Sequence, residues 1–169
     1  MSLQLYLLRH AMAESWSPLG NDFSRPLTST GKQHAQLVSK WALEALAPPD
    51  TILCSPARRT RETLAPFLAR WPQLLANSDY VDSIYGASVN MLLTLVEDAF
   101  SYSERLMMVG HNPGLEQLLK IVLRQDQAVT MKPLMPGTFS VVEFPETFKR
   151  DAGAGKLMQM ILEKELSDN

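Results

Sequence analysis

Apolar residues recur along the chain in two alternating kinds of run. Residues 3–9 (LQLYLLR), 51–54 (TILC) and 105–109 (RLMMV) are short and nearly continuously apolar, the pattern of strands covered on both faces of a sheet. Longer amphipathic stretches lie between them. Thr28-Ser-Thr-Gly31 supplies capping residues ahead of a helix whose stripe carries Val38, Trp41, Ala42, Ala45 and Leu46, and Pro48-Pro49 ends it. Ser55-Pro56 pairs an N-cap with a first-turn proline for a helix to about Trp71, which Pro66 should kink or split. The pattern further predicts a strand over 74–81, a helix over 88–99, and a helix from an Asn112-Pro113 cap to about Leu123. Residues 139–144 and 156–162 read as two closing strands around a Gly/Ala turn. This alternation predicts an α/β fold in three layers, with a mainly parallel central sheet and helices on both faces, as one domain over residues 1–169.

Composition narrows the classes without changing that picture. A formal net charge of −2 over 169 residues gives no basic surface for nucleic acid or an anionic membrane. No apolar run approaches the roughly 20 residues of a membrane span, and no basic segment followed by a cleavable apolar one opens the chain. A cytoplasmic setting is the expectation. The single cysteine, Cys54, sits in an apolar run and reads as a small buried hydrophobe. The nine methionines, Met107 and Met108 among them, read as core filler, and His34, on the first helix stripe, as a partly buried structural residue. Asp22 and Arg25 suggest a loop salt bridge rather than catalysis.

Candidate chemistry collects at strand ends. The first strand ends in Arg9-His10, the second in Ser55-Pro-Ala-Arg-Arg59, and the 105–109 strand in Gly110-His111. In a parallel sheet such ends lie side by side along the edge where open α/β folds place their ligands. Two of them open helices, whose free N–H groups favour an anion. Arginine forks suit phosphate oxygens, so arginines and histidines converging there describe a phosphoryl receptor. No acidic cluster to hold Mg²⁺ and no glycine-rich phosphate loop accompanies them. No cofactor and no metal are expected. A metal site built from His10, His34 and His111 would lack carboxylates at ligand spacing and would face arginines that repel a cation.

Four blocks carry a resemblance: LYLLRHAMAE (5–14), Ser24-Arg-Pro-Leu-Thr28 with Gly31, Ile52-Leu-Cys-Ser-Pro-Ala-Arg-Arg-Thr-Arg-Glu-Thr63, and Met108-Val-Gly-His-Asn-Pro-Gly114. Together, in this order, they resemble the phosphoglycerate mutase-like histidine phosphatase superfamily, and within it the SixA-type phosphohistidine phosphatases. The resemblance implies that His10 is the nucleophile that becomes phosphorylated and that Arg9 binds phosphate oxygens. Arg59, four residues after the serine, is implied as the second pocket arginine, and His111 as a protonated donor to the phosphoryl oxygens. Thr63, one turn beyond Arg59, would support the Arg59 side chain. Arg58 and Arg61 have no matching role and read as surface or rim charges.

Larger superfamily members carry a glutamate that protonates an alkoxide leaving group. The corresponding stretch here, residues 81–88, has no glutamate. Asp82 is its only acid, either a general acid or a turn and capping residue. An imidazole leaving group needs less help, because its conjugate acid is only weakly acidic near neutral pH. The expectation is therefore a phosphatase acting on phosphohistidine in a phosphorylated protein partner through a phosphohistidine intermediate, with no nucleic-acid or membrane partner. The alternatives are a phosphatase of small esters or of phosphoserine, phosphothreonine or phosphotyrosine, and a non-catalytic module that binds a phospho-ligand. The sequence leaves the oligomeric state open.

Overall fold

A six-stranded sheet runs through the middle of the computed structural model, which describes residues 2–150 and 153–166. Its strands are β1 (Leu3–Arg9), β2 (Thr51–Cys54), β3 (Ser78–Tyr80), β4 (Arg105–Gly110), β5 (Phe139–Phe144) and β6 (Lys156–Ile161), in the order β3-β2-β4-β1-β5-β6. The first four run parallel, and β5 and β6 add an antiparallel flank. The helices are α1 (Ser29–Ala45), α2 (Arg58–Arg70), α3 (Val89–Phe100), α4 (Gly114–Val122) and the short α5 (Gln125–Thr130).

The near-continuous apolar runs follow from burial on both faces. Leu5 and Leu7 of β1 point with Leu106 and Met108 into a core closed by Leu92, Val96, Leu115 and Leu119 of α3 and α4. Tyr6 and Leu8 point the other way, with Ile52, Cys54, Met107 and Val109, into a core closed by Val38, Ala42, Leu64 and Phe67 of α1 and α2. Cys54 is one of these core residues, and burial pushes its thiol up to about 12. The three layers and mainly parallel sheet expected from the sequence are present.

Local expectations fared unevenly. Thr28 caps α1 through the Gly31 N–H at 2.9 Å, and Ser88 caps α3 through Met91 at 3.3 Å. By contrast, α2 begins at Arg58 with Ala57 as an N-cap that makes no side-chain bond. Pro66 neither splits nor ends α2, which runs on to Arg70. Proline forfeits one helical hydrogen bond there, and the burial of Leu64 and Phe67 in the core beneath the sheet offsets it. Helix α4 starts at Gly114 behind Pro113, because the Asn112 side chain bonds the Leu134 carbonyl at 3.0 Å instead of capping. The strand expected over 74–81 is mostly a 3₁₀ segment, Pro72–Asn77, and only Ser78–Tyr80 pairs with β2. α5 buries no residue, so it had no apolar stripe to announce it. The Gly/Ala turn expected between the last two strands includes residues 151 and 152, which lie outside the described residues.

Gly31 is a close-approach position. A Cβ there would overlap the Met12 carbonyl oxygen, which accepts the Thr28 N–H at 2.9 Å. Backbone atoms cannot swing aside as a side chain can, so Gly31→Ala should destabilise the fold by about 3 kcal/mol. A shift of the urea midpoint at unchanged slope checks this; an unshifted midpoint contradicts it.

Candidate active site

Strand order assembles the site. β2, β4 and β1 are adjacent and parallel, so their C-terminal ends share one edge. Arg9 is in register with Gly110 and Cys54 with Val109, which brings His10, His111 and Ser55 together. The His10 N–H donates to the Gly110 carbonyl at 3.1 Å, and the two imidazole centroids lie 5.3 Å apart. Arg59 enters from the first turn of α2. Its side chain is 6% exposed, and it donates to the Asp22 carbonyl at 2.8 Å and to Asp22 Oδ2 at 3.0 Å. Arg9 Nη1 donates to the Leu134 carbonyl at 2.6 Å. That peptide is itself pinned: its carbonyl also accepts from Asn112 Nδ2 at 3.0 Å, and its N–H donates to Glu116 Oε2 at 3.1 Å.

The hydrogen bonds assign the His10 tautomer. Nδ1 lies 2.8 Å from the Ala11 carbonyl, which can only accept. Nδ1 therefore carries the proton, and Nε2 presents a bare lone pair. Burial first, then the charges of Arg59, Arg9 and Arg25, lower this imidazole to about 4, against the Ala11 bond that raises it. His111 is lowered to about 3 by burial, then by Arg59 and His10. In the unliganded pocket these causes favour the neutral His111 ring near neutral pH. Burial beside like charges disfavours the imidazolium.

These shifts have a consequence for stability. Between pH 6.5 and about 4 the unfolded chain binds protons on both histidines that the folded chain refuses. Stability should be full above pH 6.5 and fall as pH drops through that window, by on the order of 3 kcal/mol for His10 alone. Urea midpoints measured across the window should fall steeply in wild type and less in His10→Ala. Equal slopes would contradict the assignment.

Three nitrogens of this four-residue set, Arg9 Nε, Arg59 Nε and His111 Nδ1, are buried with no partner. Buried donors without acceptors cost free energy. An oxyanion held against them would supply what is missing, and two of the three belong to delocalised guanidinium cations. Among the described residues no group of three His, Cys, Asp or Glu could hold a metal ion.

Residues 5–80, which include Arg9, His10 and Arg59, match the profile of the histidine phosphatase superfamily (branch 1). The fold is similar over 94% of this chain, and 97% of the other, to a protein assigned as the phosphohistidine phosphatase SixA from Agrobacterium tumefaciens, at 27% identity and a TM-score of 0.81. The chain thus shares the histidine phosphatase profile over residues 5–80 and the fold of that group over nearly its whole length. Its phosphoglycerate mutase-like architecture and SixA-type kinship are those expected from the sequence. An uncharacterized chloroplastic protein of Arabidopsis thaliana is 34% identical over 129 residues, 69% of this chain and 57% of that protein. An uncharacterized protein of Mycobacterium tuberculosis is 33% identical over 112 residues, 66% of each chain.

Around these four pocket residues, the remaining sequence expectations sort clearly. Arg58 pairs with Glu62 at an exposed position, and Arg61 lies 4.7 Å over the Tyr80 ring, so both are surface residues. Among the described residues no hydrogen bond joins Thr63 to the Arg59 side chain. Its hydroxyl donates to the Arg59 carbonyl at 2.6 Å and accepts the Ala11 N–H at 3.0 Å, so it steadies the loop just after His10. His34 is half-buried on α1 and is not part of the pocket. Asp82 is exposed in a 3₁₀ turn, and among the described residues no hydrogen bond or ion pair joins it to the four pocket residues.

Asp22 is more involved than the sequence implied. It makes the expected salt bridge to Arg25 at 2.9 Å, and it also holds Arg59 and accepts the Tyr85 hydroxyl at 2.7 Å. The Tyr85 bond first, then Arg59 and Arg25, keep its carboxyl at about 2, against partial burial. Tyr85 went unnoticed in the sequence. Its ring meets His111 edge-on at 5.6 Å and Phe23 at 5.1 Å. An aromatic residue directly before Gly86 in the 81–88 loop was the available signal.

Proposed function

We propose that the protein is a phosphatase that removes a phosphoryl group from phosphohistidine in a protein, through a covalent phosphohistidine on His10. The observation that carries this reading is the neutral His10 ring, with Nδ1 tied to Ala11 and Nε2 bare, set among buried unpaired nitrogens of Arg9, Arg59 and His111. Nε2 attacks phosphorus in line, forming a P–N bond as the bond to the leaving group breaks. Arg9, Arg59 and His111 hold the equatorial oxygens as charge redistributes. Water then attacks from the vacated side, releasing phosphate and restoring Nε2.

The leaving group is argued from the carboxylates. Asp22 is the one carboxylate that hydrogen bonds of the described residues tie to a pocket side chain, and it is held ionised at about 2. It has no proton to give near neutral pH. An alkoxide needs such a proton, whereas an imidazole, with a conjugate acid of pKa near 6.5, departs with protonation from solvent. The mouth supports a macromolecular substrate. Trp16, Phe23 and Tyr85 are exposed around it, and a cleft of about 580 Å³ lined by Ser15, Trp16, Asn21, Asp22 and Arg25 adjoins the Arg59 partner.

Hydrolysis of a phosphohistidine-bearing protein, compared with that of aryl and alkyl phosphate esters, tests the reading. Fast loss of phosphohistidine with slow alkyl cleavage supports it. Equal rates on the alkyl ester would move the function to small esters, and binding without turnover would leave a phospho-ligand module. Trp16→Ala should raise KM for the protein substrate about tenfold and leave aryl phosphate kinetics unchanged. Unchanged KM on both would remove Trp16 from the docking face.

A further inference from the structure

We infer that Ser55 is a positioning residue: its hydroxyl holds His111 in the neutral tautomer protonated at Nδ1, so that the ring donates a hydrogen bond to a phosphoryl oxygen without becoming an imidazolium. The identity of the anion rests on the phosphatase reading, while the tautomer rests on geometry alone.

The sheet register sets the contact. Cys54 is paired with Val109 across β2 and β4, and the Ser55 N–H continues the ladder to the Val109 carbonyl at 2.9 Å. One residue beyond the last strand position on each side, Ser55 Oγ and His111 Nε2 meet at 2.7 Å. The proton in that bond belongs either to the hydroxyl or to the ring. Ser55 is fully buried, and its other neighbour is the Ala57 N–H at 3.5 Å, which can only donate. Nε2 is therefore the one acceptor the described hydrogen bonds offer to the hydroxyl proton. If Nε2 carried the proton instead, Oγ would face two donors, its own proton would have no acceptor, and Nδ1 would be an unpaired lone pair. That arrangement leaves two buried groups unsatisfied. The hydroxyl-to-ring arrangement leaves one, the Nδ1–H, which is buried and without a partner in the protein.

That remaining N–H is what an anion would satisfy. The two histidines then share one tautomer and differ in what they leave over. Ala11 occupies Nδ1–H of His10 and leaves a bare nucleophilic nitrogen, whereas Ser55 occupies Nε2 of His111 and leaves a donor. A neutral imidazole donor suits a pocket that already holds two arginines, since a further buried cation would be paid for in desolvation. The competition also explains why α2 lacks its expected cap. At 3.5 Å from the Ala57 N–H, the hydroxyl is too far to cap well, having been taken by His111.

Ring-nitrogen ¹⁵N NMR of the wild-type protein at neutral pH, with the His111 signals assigned by their loss in His111→Gln, reads the tautomer directly. The expected spectrum has a protonated, pyrrole-type Nδ1 and an unprotonated Nε2 for His111. The reverse pattern, or two protonated nitrogens, overturns the inference without bearing on whether the enzyme turns over. Ser55→Ala should broaden or reverse that pattern and weaken inorganic phosphate binding about tenfold by calorimetry, and Ser55→Thr should restore both. Unchanged ring shifts and phosphate affinity in Ser55→Ala overturn it as well. A wild-type protein with the stated tautomer but no affinity for phosphate keeps the Ser55 assignment and defeats the phosphatase reading.

Discussion

His10→Ala should lose turnover by at least about 10⁴-fold on every phosphorylated substrate, because the variant has no atom on which to form the covalent intermediate. His10 is buried at the end of a central strand, and its bond to the following carbonyl is local. The substitution therefore leaves the sheet ladder intact, and inorganic phosphate should still bind through Arg9 and Arg59. Kinetics and calorimetry on the same preparation separate the outcomes. A dead variant that binds phosphate locates the nucleophile. A variant that turns over normally removes His10 from the chemistry and with it the proposed function.

Arg59→Ala carries the second largest effect, on the order of 10²–10³ in kcat/KM, the usual cost of deleting one donor to the transition-state charge. The arginine does two things at once. Its Nε is free for the substrate, while Nη1 and Nη2 bind Asp22. Removing it takes away a phosphoryl donor and releases a carboxylate beside the site, and that carboxylate then repels the incoming anion. Adding Asp22→Asn to Arg59→Ala should recover about tenfold, whereas Asp22→Asn alone should cost little, because Arg59 keeps the Asp22 carbonyl as an acceptor. The four proteins form a double-mutant cycle. Strict additivity would show that Asp22 and Arg59 do not act together. Lysine at 59 should not rescue, since its point charge cannot serve two directions as the planar fork does.

Much of the pocket was legible in the sequence because three strands advertise themselves as continuous apolar runs and parallel order gathers their ends. Arg9, His10, Arg59 and His111 meet for that reason. What could not be read were contacts in which a side chain had two suitors. Ser55 looks like a helix cap until β4, the neighbour of β2 in the sheet, is laid beside it; the hydroxyl then goes to His111. Asn112 likewise abandons its cap for Leu134, and Thr63 turns to Ala11 rather than to the arginine side chain. Asp22 reaches Arg59 across 37 positions of sequence and Tyr85 across 63, and no local pattern encodes such reach. The 74–81 segment misled for a different reason: its apolar residues pack as a tight turn, with Leu74 buried and Leu75 exposed, and do not alternate across a sheet.

The placing of β1 between β4 and β5 couples occupancy of the pocket to survival of the whole molecule. The anion-binding groups hang from β1, β2 and β4, so no part of the sheet can come apart at those strands without dissolving the receptor. A ligand that binds only the intact receptor draws the unfolding equilibrium toward the native side by mass action, about 2.7 kcal/mol when present at a hundred times its dissociation constant. On the proposed function, a phosphoryl ligand should therefore act as a folding cofactor, and proteolysis of the chain should slow when the site is filled.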